Sequence, residues 1–412
     1  MIKEIRIRNF KGIDELWLNL CDLNVLIGAN SAGKSTIIQA IDILLNSVDR
    51  DITEYLSDRG WKVDEIKSQV SKNRRLSFDA LLTFIIDGQM RNIVWRIAFL
   101  LTQKDNSITL ESEQFSIVSI HHNEAGLKEH INALDSSPMS NLVYRYQKGV
   151  FVMTNEQGLR QDYPLNLSIP SSIMKIIRTF PDIGQLEFIN TFQAFVQNSQ
   201  SLETLSTEKM RRSSRGKTSG IGSKGERLAA FIKQMDSEQK VRFYNNLKPF
   251  IPSLNSLETV VKGKPGWIEL FLDESWGDNT LKVKSSHISD GFLRIIAFVS
   301  LLQLDARPGL IVFDEVEDGI NPHIASEIVK LLYRYSQAHN RQLVVTTHSS
   351  LMLDEFDPSN IIYVYRQVNG AIMAQHIFQR QDVKHMLEYM NPGEIWINTT
   401  EQELVGGKQT RS

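Results

Sequence analysis

Residues Gly28 to Ser35 read GANSAGKS and satisfy G-x-x-x-x-G-K-[ST] at every fixed position. No other feature limits the fold so tightly. Such a loop needs a buried strand to hold its start and a helix whose N-terminal N–H groups point back into it. Both are present, as the apolar run Leu23 to Ile27 and the helical apolar spacing from Thr36 to Leu45. The expected ligands are ATP and Mg²⁺. Gly28, Asn30, Gly33, Lys34, Ser35 and Thr36 form the ATP-binding loop, with Lys34 on the β- and γ-phosphates and the Ser35 hydroxyl on Mg²⁺.

The rest of the pattern predicts an α/β protein. Ile5 and Ile7 share one side of a first strand, and Leu16, Leu18 and Leu20 one side of a second. Strands at Leu76 to Ile86 and Asn92 to Leu101 flank the hairpin signal Asp87-Gly88. Later the order runs helix (Phe292 to Leu304), strand (Leu310 to Phe313), helix (Pro322 to Ala338), strand (Gln342 to Thr346), as in a mixed or parallel sheet flanked by helices. The expected organisation is an ATPase lobe in two halves, 1–103 and 256–380. A mainly helical insertion, 104–255, separates them, with a basic flexible loop at 208–227 and proline breaks at Pro170, Pro181 and Pro252. A C-terminal tail, 381–412, follows.

The buried strand Leu310 to Phe313 ends in two carboxylates. Asp314 is placed to hold the Mg²⁺ shell and Glu315 to orient or deprotonate an attacking water. One helix later a second apolar strand ends at Thr346, Thr347 and His348, and parallel strands in this order bring such ends together, with His348 near the γ-phosphate. At Ser289-Asp290-Gly291 a serine and a glycine open an apolar helix. A serine there is an N-cap, and the same hydroxyl, N–H groups and dipole also suit an anion.

Taken together, IRIRNFKGI, LNVLIGANSAGKSTIIQAIDIL, HISDGFLRIIAFVSLL, LIVFDEVEDGINPH and LVVTTHSSLML resemble the ABC-type ATPase heads of the SMC, RecF and OLD group. The resemblance is closest to compact bacterial forms without a TOPRIM domain, many of them in antiphage defence. It implies a homodimer or higher oligomer closed around ATP, in which Ser289 to Gly291 face the γ-phosphate held by another copy. It also implies that Lys11 touches the adenine. Ala29 and Ser31 depart from the usual proline and glycine of the loop, and Asn321 replaces an aspartate or histidine facing the dimer. For the glutamine that senses Mg²⁺, Gln89, Gln114 and Gln147 are all candidates.

A net charge of −2 means that any nucleic-acid surface is local. The candidate is the basic segment, with Lys209, Arg211, Arg212, Arg215, Lys217, Lys224 and Arg227; a solvated insertion is the alternative. One cysteine, Cys21, excludes an internal disulfide. No run reaches the eighteen or so apolar residues of a membrane span, and a cytoplasmic location with no membrane partner is expected. About thirty residues follow the last strands, so a separate effector protein, a nuclease or toxin, is expected to do the downstream work. Three functions are open: a defence sensor or regulator, a RecF-like DNA-repair ATPase, and a low-turnover ATP-dependent scaffold. In the tail, Ile395, Trp396 and Ile397 are expected to be exposed.

Overall fold

The computed structural model describes the chain except for residues 72, 103–105, 119–125, 156, 166–167, 181–185, 203–204, 219, 223, 265, 304–306, 340 and 407–412, and the side chains of 338 and 339. The expected boundary at 103/104, the break at Pro181, the helix end at Leu304 and the last residues of the tail lie outside the described residues. Two compact units share the chain. One comprises Met1–Ser199, Pro308–Leu310 and Ile362–Ile377; the other comprises Gln200–Arg307, Ile311–Ile361 and Phe378–Ser412.

The first unit opens with β1 (Ile2–Phe10), β2 (Ile13–Asn19) and β3 (Leu23–Ile27). It continues with β4 (Arg75–Ile86), β5 (Gln89–Thr102), β6 (Ser107–Val118), β7 (Leu142–Gln147), β8 (Val150–Thr154) and β9 (Arg160–Pro164). All but β3 form an eight-stranded antiparallel sheet, ordered β2-β1-β4-β5-β6-β7-β8-β9. Asp87 and Gly88 both take positive φ, 51° and 71°, which makes the tight β4–β5 hairpin that their sequence predicts. Ile5, Ile7, Phe78, Phe84 and Trp95 point to the buried face. The helix Leu186–Gln197 packs there, Phe192 lying 4.8 Å from Trp95 and Phe195 lying 5.5 Å from Phe84 between ring centroids. Each such buried aromatic contributes about 1.5–3 kcal/mol of transfer free energy.

The expected mainly helical character of 104–255 needs correction. Helices fill much of it, at Leu127–Ser136, Leu186–Gln197, Leu228–Gln234 and Ser237–Leu247, but β6 to β9 extend the sheet through its first part. Their period-2 signal is weak for a physical reason: β6 is buried on both faces from Glu113 to Ser116, and β9 buries no residue at all. The charged stretch Arg50 to Val70 folds as two short helices, Ile52–Asp58 and Val63–Ile66.

The second unit holds β10 (Gln200–Leu202), the antiparallel trio β11 (Leu254–Lys262), β12 (Trp267–Trp276) and β13 (Asn279–Lys284), then β14 (Leu310–Phe313) and β15 (Gln342–Thr346). β10 runs parallel to β14, with β15 on its other side. Every residue of β14 and β15 is buried, which is why both read as unbroken apolar runs. The helix Asp290–Leu301 packs on β14 through Phe298, 4.9 Å from the Phe313 ring, and the helix Ala325–His339 leads into β15. In the tail, Ile395 is fully buried, contrary to expectation, while Ile397 is exposed. The helix Pro392–Asn398 lies so close to Ser350 that a Cβ on Gly393 would come 2.2 Å from its carbonyl oxygen.

The first unit closes with β16 (Ile361–Arg366) and β17 (Ile372–Gln375), antiparallel to each other, with β16 beside β3. Among the described residues no helix is long and apolar enough to cross a membrane.

Candidate functional site

In the first unit β3 ends at Ile27 and the helix Lys34–Asp49 begins after the glycine-rich loop. Gly28 and Gly33 sit at φ +149° and +114°, where side chains are strained. Space is missing as well: a Cβ on Gly28 would lie 2.1 Å from the Val364 carbonyl oxygen, and one on Gly33 2.4 Å from Cδ1 of Ile372. Ser31 also takes the left-handed region, φ 65°, and its carbonyl accepts a 2.7 Å bond from Nε of Arg366. β16 and β17 thus shape the loop through Val364, Arg366 and Ile372, residues that the sequence did not single out.

The start of the helix suits an anion. Its N-cap is Gly33, with no side-chain cap, and its first turn carries no acid, so nothing competes for the first N–H groups or the positive end of the dipole. Lys34 is buried, with Nζ donating to the carbonyls of Gly28 at 3.0 Å and Ala29 at 3.3 Å. A buried ammonium beside uncapped N–H groups fits a phosphate chain. Ser35 and Asn30 are exposed and Thr36 half-buried. Lys11, at φ 47°, donates from Nζ to Gln39 at 2.6 Å and lies 3.8 Å from the ring centroid of Trp61. It therefore meets the loop's helix through Gln39, packed on an indole that the sequence reading missed.

In the second unit a single hydroxyl organises the acidic pair. Thr346, fully buried at the end of β15, donates from Oγ1 to Oδ1 of Asp314 at 2.6 Å and accepts from the Glu315 N–H at 2.7 Å. Its carbonyl accepts from the Val316 N–H at 3.1 Å. Glu315 takes φ 51°, an uncommon conformation for this residue, and its side chain is exposed. Glu317 accepts the backbone N–H of His348 through Oε1, while its buried Oε2 has no partner among the described residues. Asp314, Glu315, Glu317, Thr346 and His348 are thus gathered at the ends of β14 and β15. Among the described residues there is no cluster of three or more metal-binding side chains. A Mg²⁺ carried on a nucleotide needs none, because it takes one or two protein oxygens and fills its shell with phosphate and water.

Ser289 caps the helix Asp290–Leu301, its hydroxyl accepting from the Phe292 N–H at 3.3 Å, and both Ser289 and Asp290 remain exposed. Gly291 has no room for a side chain: a Cβ would lie 2.3 Å from the carbonyl oxygen of Gly319, just beyond the acidic pair. Arg294, one turn on, pairs with Asp318 at 2.6 Å. Helix start and acidic loop are therefore locked together.

The basic segment is tied down at Arg211 and Ser214. Arg211 donates to the Ile288 carbonyl at 2.9 Å and to the Asp290 carboxylate, and its own carbonyl accepts from Ser285 at 3.0 Å. The Arg211 guanidinium holds the Asp290 carboxyl below the usual carboxylate range. Ser214 pairs with Ile268 at the edge of β12 through bonds of 3.1 and 2.7 Å, and Arg215 lies over the Trp267 ring. Arg212 bonds to Glu208, while Lys217 and Lys224 are exposed. The short-range pattern of Ser, Gly and cations hid the anchors of Arg211 and Ser214, because their partners lie far along the chain.

Of the glutamines, Gln114 donates to Ser116 and Pro138, Gln147 accepts from Arg145, and Gln89 opens β5 at an exposed position. All three belong to the eight-stranded sheet. Asn321 accepts from the His323 N–H and so caps a short turn of helix.

A 68-residue stretch is 40% identical to an uncharacterized protein of Methanocaldococcus jannaschii, covering 15% of this chain and 31% of that protein. A 48-residue stretch is 40% identical to the OLD nuclease of Thermus scotoductus, covering 12% of this chain and 9% of the nuclease. The chain thus spans under a third of the length of either relative. Similar solved structures include the SMC head domain from Thermotoga maritima, at 13% identity and TM-score 0.43 over 91% of this chain and 98% of that one. Another is an Smc head domain with a coiled coil and joint derived from Pyrococcus yayanosii, at 12% identity and TM-score 0.48 over 94% and 99%. The family described as the AAA ATPase domain matches residues 1–353, and the chain belongs to that family.

Proposed function

We propose that the chain binds and hydrolyses ATP with Mg²⁺, closes as a homodimer or higher oligomer around the nucleotide, and regulates a separate effector protein in bacterial antiphage defence. The observation that carries the nucleotide part is the uncapped, acid-free helix start beside buried Lys34. Lys34, Ser35 and the loop N–H groups would hold the phosphates, and Ser35 and Asp314 are each assigned to Mg²⁺, which would neutralise phosphate charge. Glu315 would take the proton of the attacking water, and His348 is assigned to the γ-phosphate. Exposed Ser289, with the helix start at Asp290 and Gly291, meets the nucleotide of the neighbouring copy.

A second reading, a DNA-directed ATPase resembling RecF without a toxin partner, draws on Arg211. Because this residue of the basic segment grips Asp290, a nucleic acid on Arg212, Arg215, Lys217 and Lys224 would act directly on the helix start.

Purifying Glu315→Gln from its own host with ATP and Mg²⁺ separates the two. A stoichiometric protein partner supports the effector reading; nucleic acid without protein supports the other. Lys34→Ala should lose ATP binding, and Ser289→Arg should keep it while failing to dimerise. Retained binding in the first or ATP-driven dimers in the second would refute the site assignments.

A further inference from the structure

The eight-stranded sheet has an outer face that the ATPase reading leaves unused. Strand register lines up two rungs across β1, β4, β5, β6 and β7. One runs Arg8, Ser77, Ala98, Ser112, Gln147; the other runs Arg6, Asp79, Arg96, Gln114, Arg145. Over them lies a cleft of about 330 Å³, walled on one side by Leu134, Asp135 and Pro138. Small Ala98, Ser77 and Ser112 keep its centre low.

Its charge is arranged in an unusual way. Asp79 is 2% exposed and braces three guanidiniums: Arg6 at 2.8 Å, Arg96 at 2.9 Å and Arg8 at 3.4 Å. Arg96 also reaches Asp135 at 2.6 Å, and Arg75 pairs with Glu111. Arg8 keeps a buried Nε with no partner among the described residues. Arg145 is bonded to neutral Gln147 and has no carboxylate within ion-pair distance among the described residues. Four arginines thus line the cleft against Asp79 and Asp135, since the Glu113 carboxylate is bonded to Trp95, Tyr144, Ser172 and the Ile173 N–H instead. Burying one acid under three guanidiniums costs desolvation that a merely soluble sheet face would not incur. It does fix planar donor forks in place, the geometry that recognises phosphate oxygens bidentately.

We propose that this cleft binds a small phosphorylated ligand, with the phosphate on Arg145 and Arg8 and a polar body over Ser77, Ser112 and Gln147. The volume is at the lower end of ligand pockets, which start at about 300 Å³. The site is separate from the glycine-rich loop, so its occupancy does not depend on the reading of that loop.

Calorimetric titration of inorganic tripolyphosphate into four forms of the full chain tests it: native, Lys34→Ala, Arg145→Glu and the double variant. Two sites are expected in the native chain; Lys34→Ala should lose the loop site, Arg145→Glu should weaken the cleft site, and the double variant should keep only the weakened cleft site. Arg145→Glu should weaken cleft binding about tenfold or more. If Arg145→Glu changes neither stoichiometry nor affinity, the proposal is overturned; if Lys34→Ala alone changes neither, the loop assignment fails while the cleft stands. Arg145→Gln serves where the charge reversal does not fold. The same ligand chemistry could come from the end of a nucleic acid. A tetranucleotide that displaces tripolyphosphate equally with and without its 5′-phosphate would refute recognition of a terminal phosphate.

Discussion

The Thr346 hydroxyl offers the most direct test of how the acidic pair works. It donates to Asp314 at 2.6 Å and accepts from the Glu315 N–H at 2.7 Å, from a fully buried position. Thr346→Val keeps the β-branched shape and removes both bonds. Losing a hydrogen bond to a carboxylate costs about 1.5–3 kcal/mol, and leaving a buried N–H unsatisfied costs about 1–3 kcal/mol. Together these amount to about 2.5–6 kcal/mol, concentrated on the two residues assigned to Mg²⁺ and water. Glu315 feels it most, because this bond holds its N–H while the backbone takes the left-handed conformation. Even about 3 kcal/mol expressed only in the transition state corresponds to roughly a hundredfold in kcat. The expected result is therefore a kcat lowered about a hundredfold, an ATP affinity changed less than a few-fold, and recovery in Thr346→Ser, which restores the hydroxyl. Steady-state phosphate release with binding measured separately reads both quantities, and urea unfolding checks that the variant is folded. A folded Thr346→Val with unchanged kcat would refute the positioning role, and an equal loss in Thr346→Ser would show that packing alone is at stake.

Gly291→Ala should separate the helix start from the acidic loop, since its Cβ would meet a backbone oxygen at 2.3 Å. ATP-driven dimerisation should fall while ATP binding by the monomer persists, and sedimentation with nucleotide would expose a normal dimer if the contact is slack. Gly33→Ala faces both a φ of +114° and a 2.4 Å clash, so nucleotide affinity should drop steeply in equilibrium binding. Intact affinity would mean the loop reshapes freely. Glu113, fully buried, has its carboxyl pushed above the ordinary 4.5, mainly by burial, with its bonds to Ser172, Tyr144, Ile173 and Trp95 pulling the other way. The folded chain then holds this proton at pH values where the unfolded chain has released it. Its contribution to stability accordingly falls as pH rises above 4.5. Glu113→Gln should remove that slope in denaturant titrations across this range. It should also lower stability at neutral pH by about 1–3 kcal/mol, because an amide NH₂ would face a donor. An unchanged slope would assign it to other groups.

Much of the candidate nucleotide site was legible because it is local. A glycine-rich turn, a fully buried strand ending in acids and a serine before an apolar helix are each written in fewer than a dozen consecutive residues, and local sterics and hydrogen bonding impose their conformations. The sequence could likewise assign the sides of β1 and β2, where alternation is clean, and the Asp87-Gly88 hairpin. It did not show β6 to β9: β6 is buried on both faces from Glu113 to Ser116 and β9 buries no residue, so neither alternates there, and β8 is only five residues long. Nor could it reveal that Thr346 holds Asp314 and Glu315 from 32 and 31 residues away, or that Arg211 holds Asp290 across 79. It left the tail's Ile395 looking exposed and the outer arginines of the sheet looking unremarkable. Those facts depend on which strands became neighbours and in what register. Register is settled by the packing of the whole core, and a shift of one residue in any of these strands would turn its cleft arginines to the opposite face.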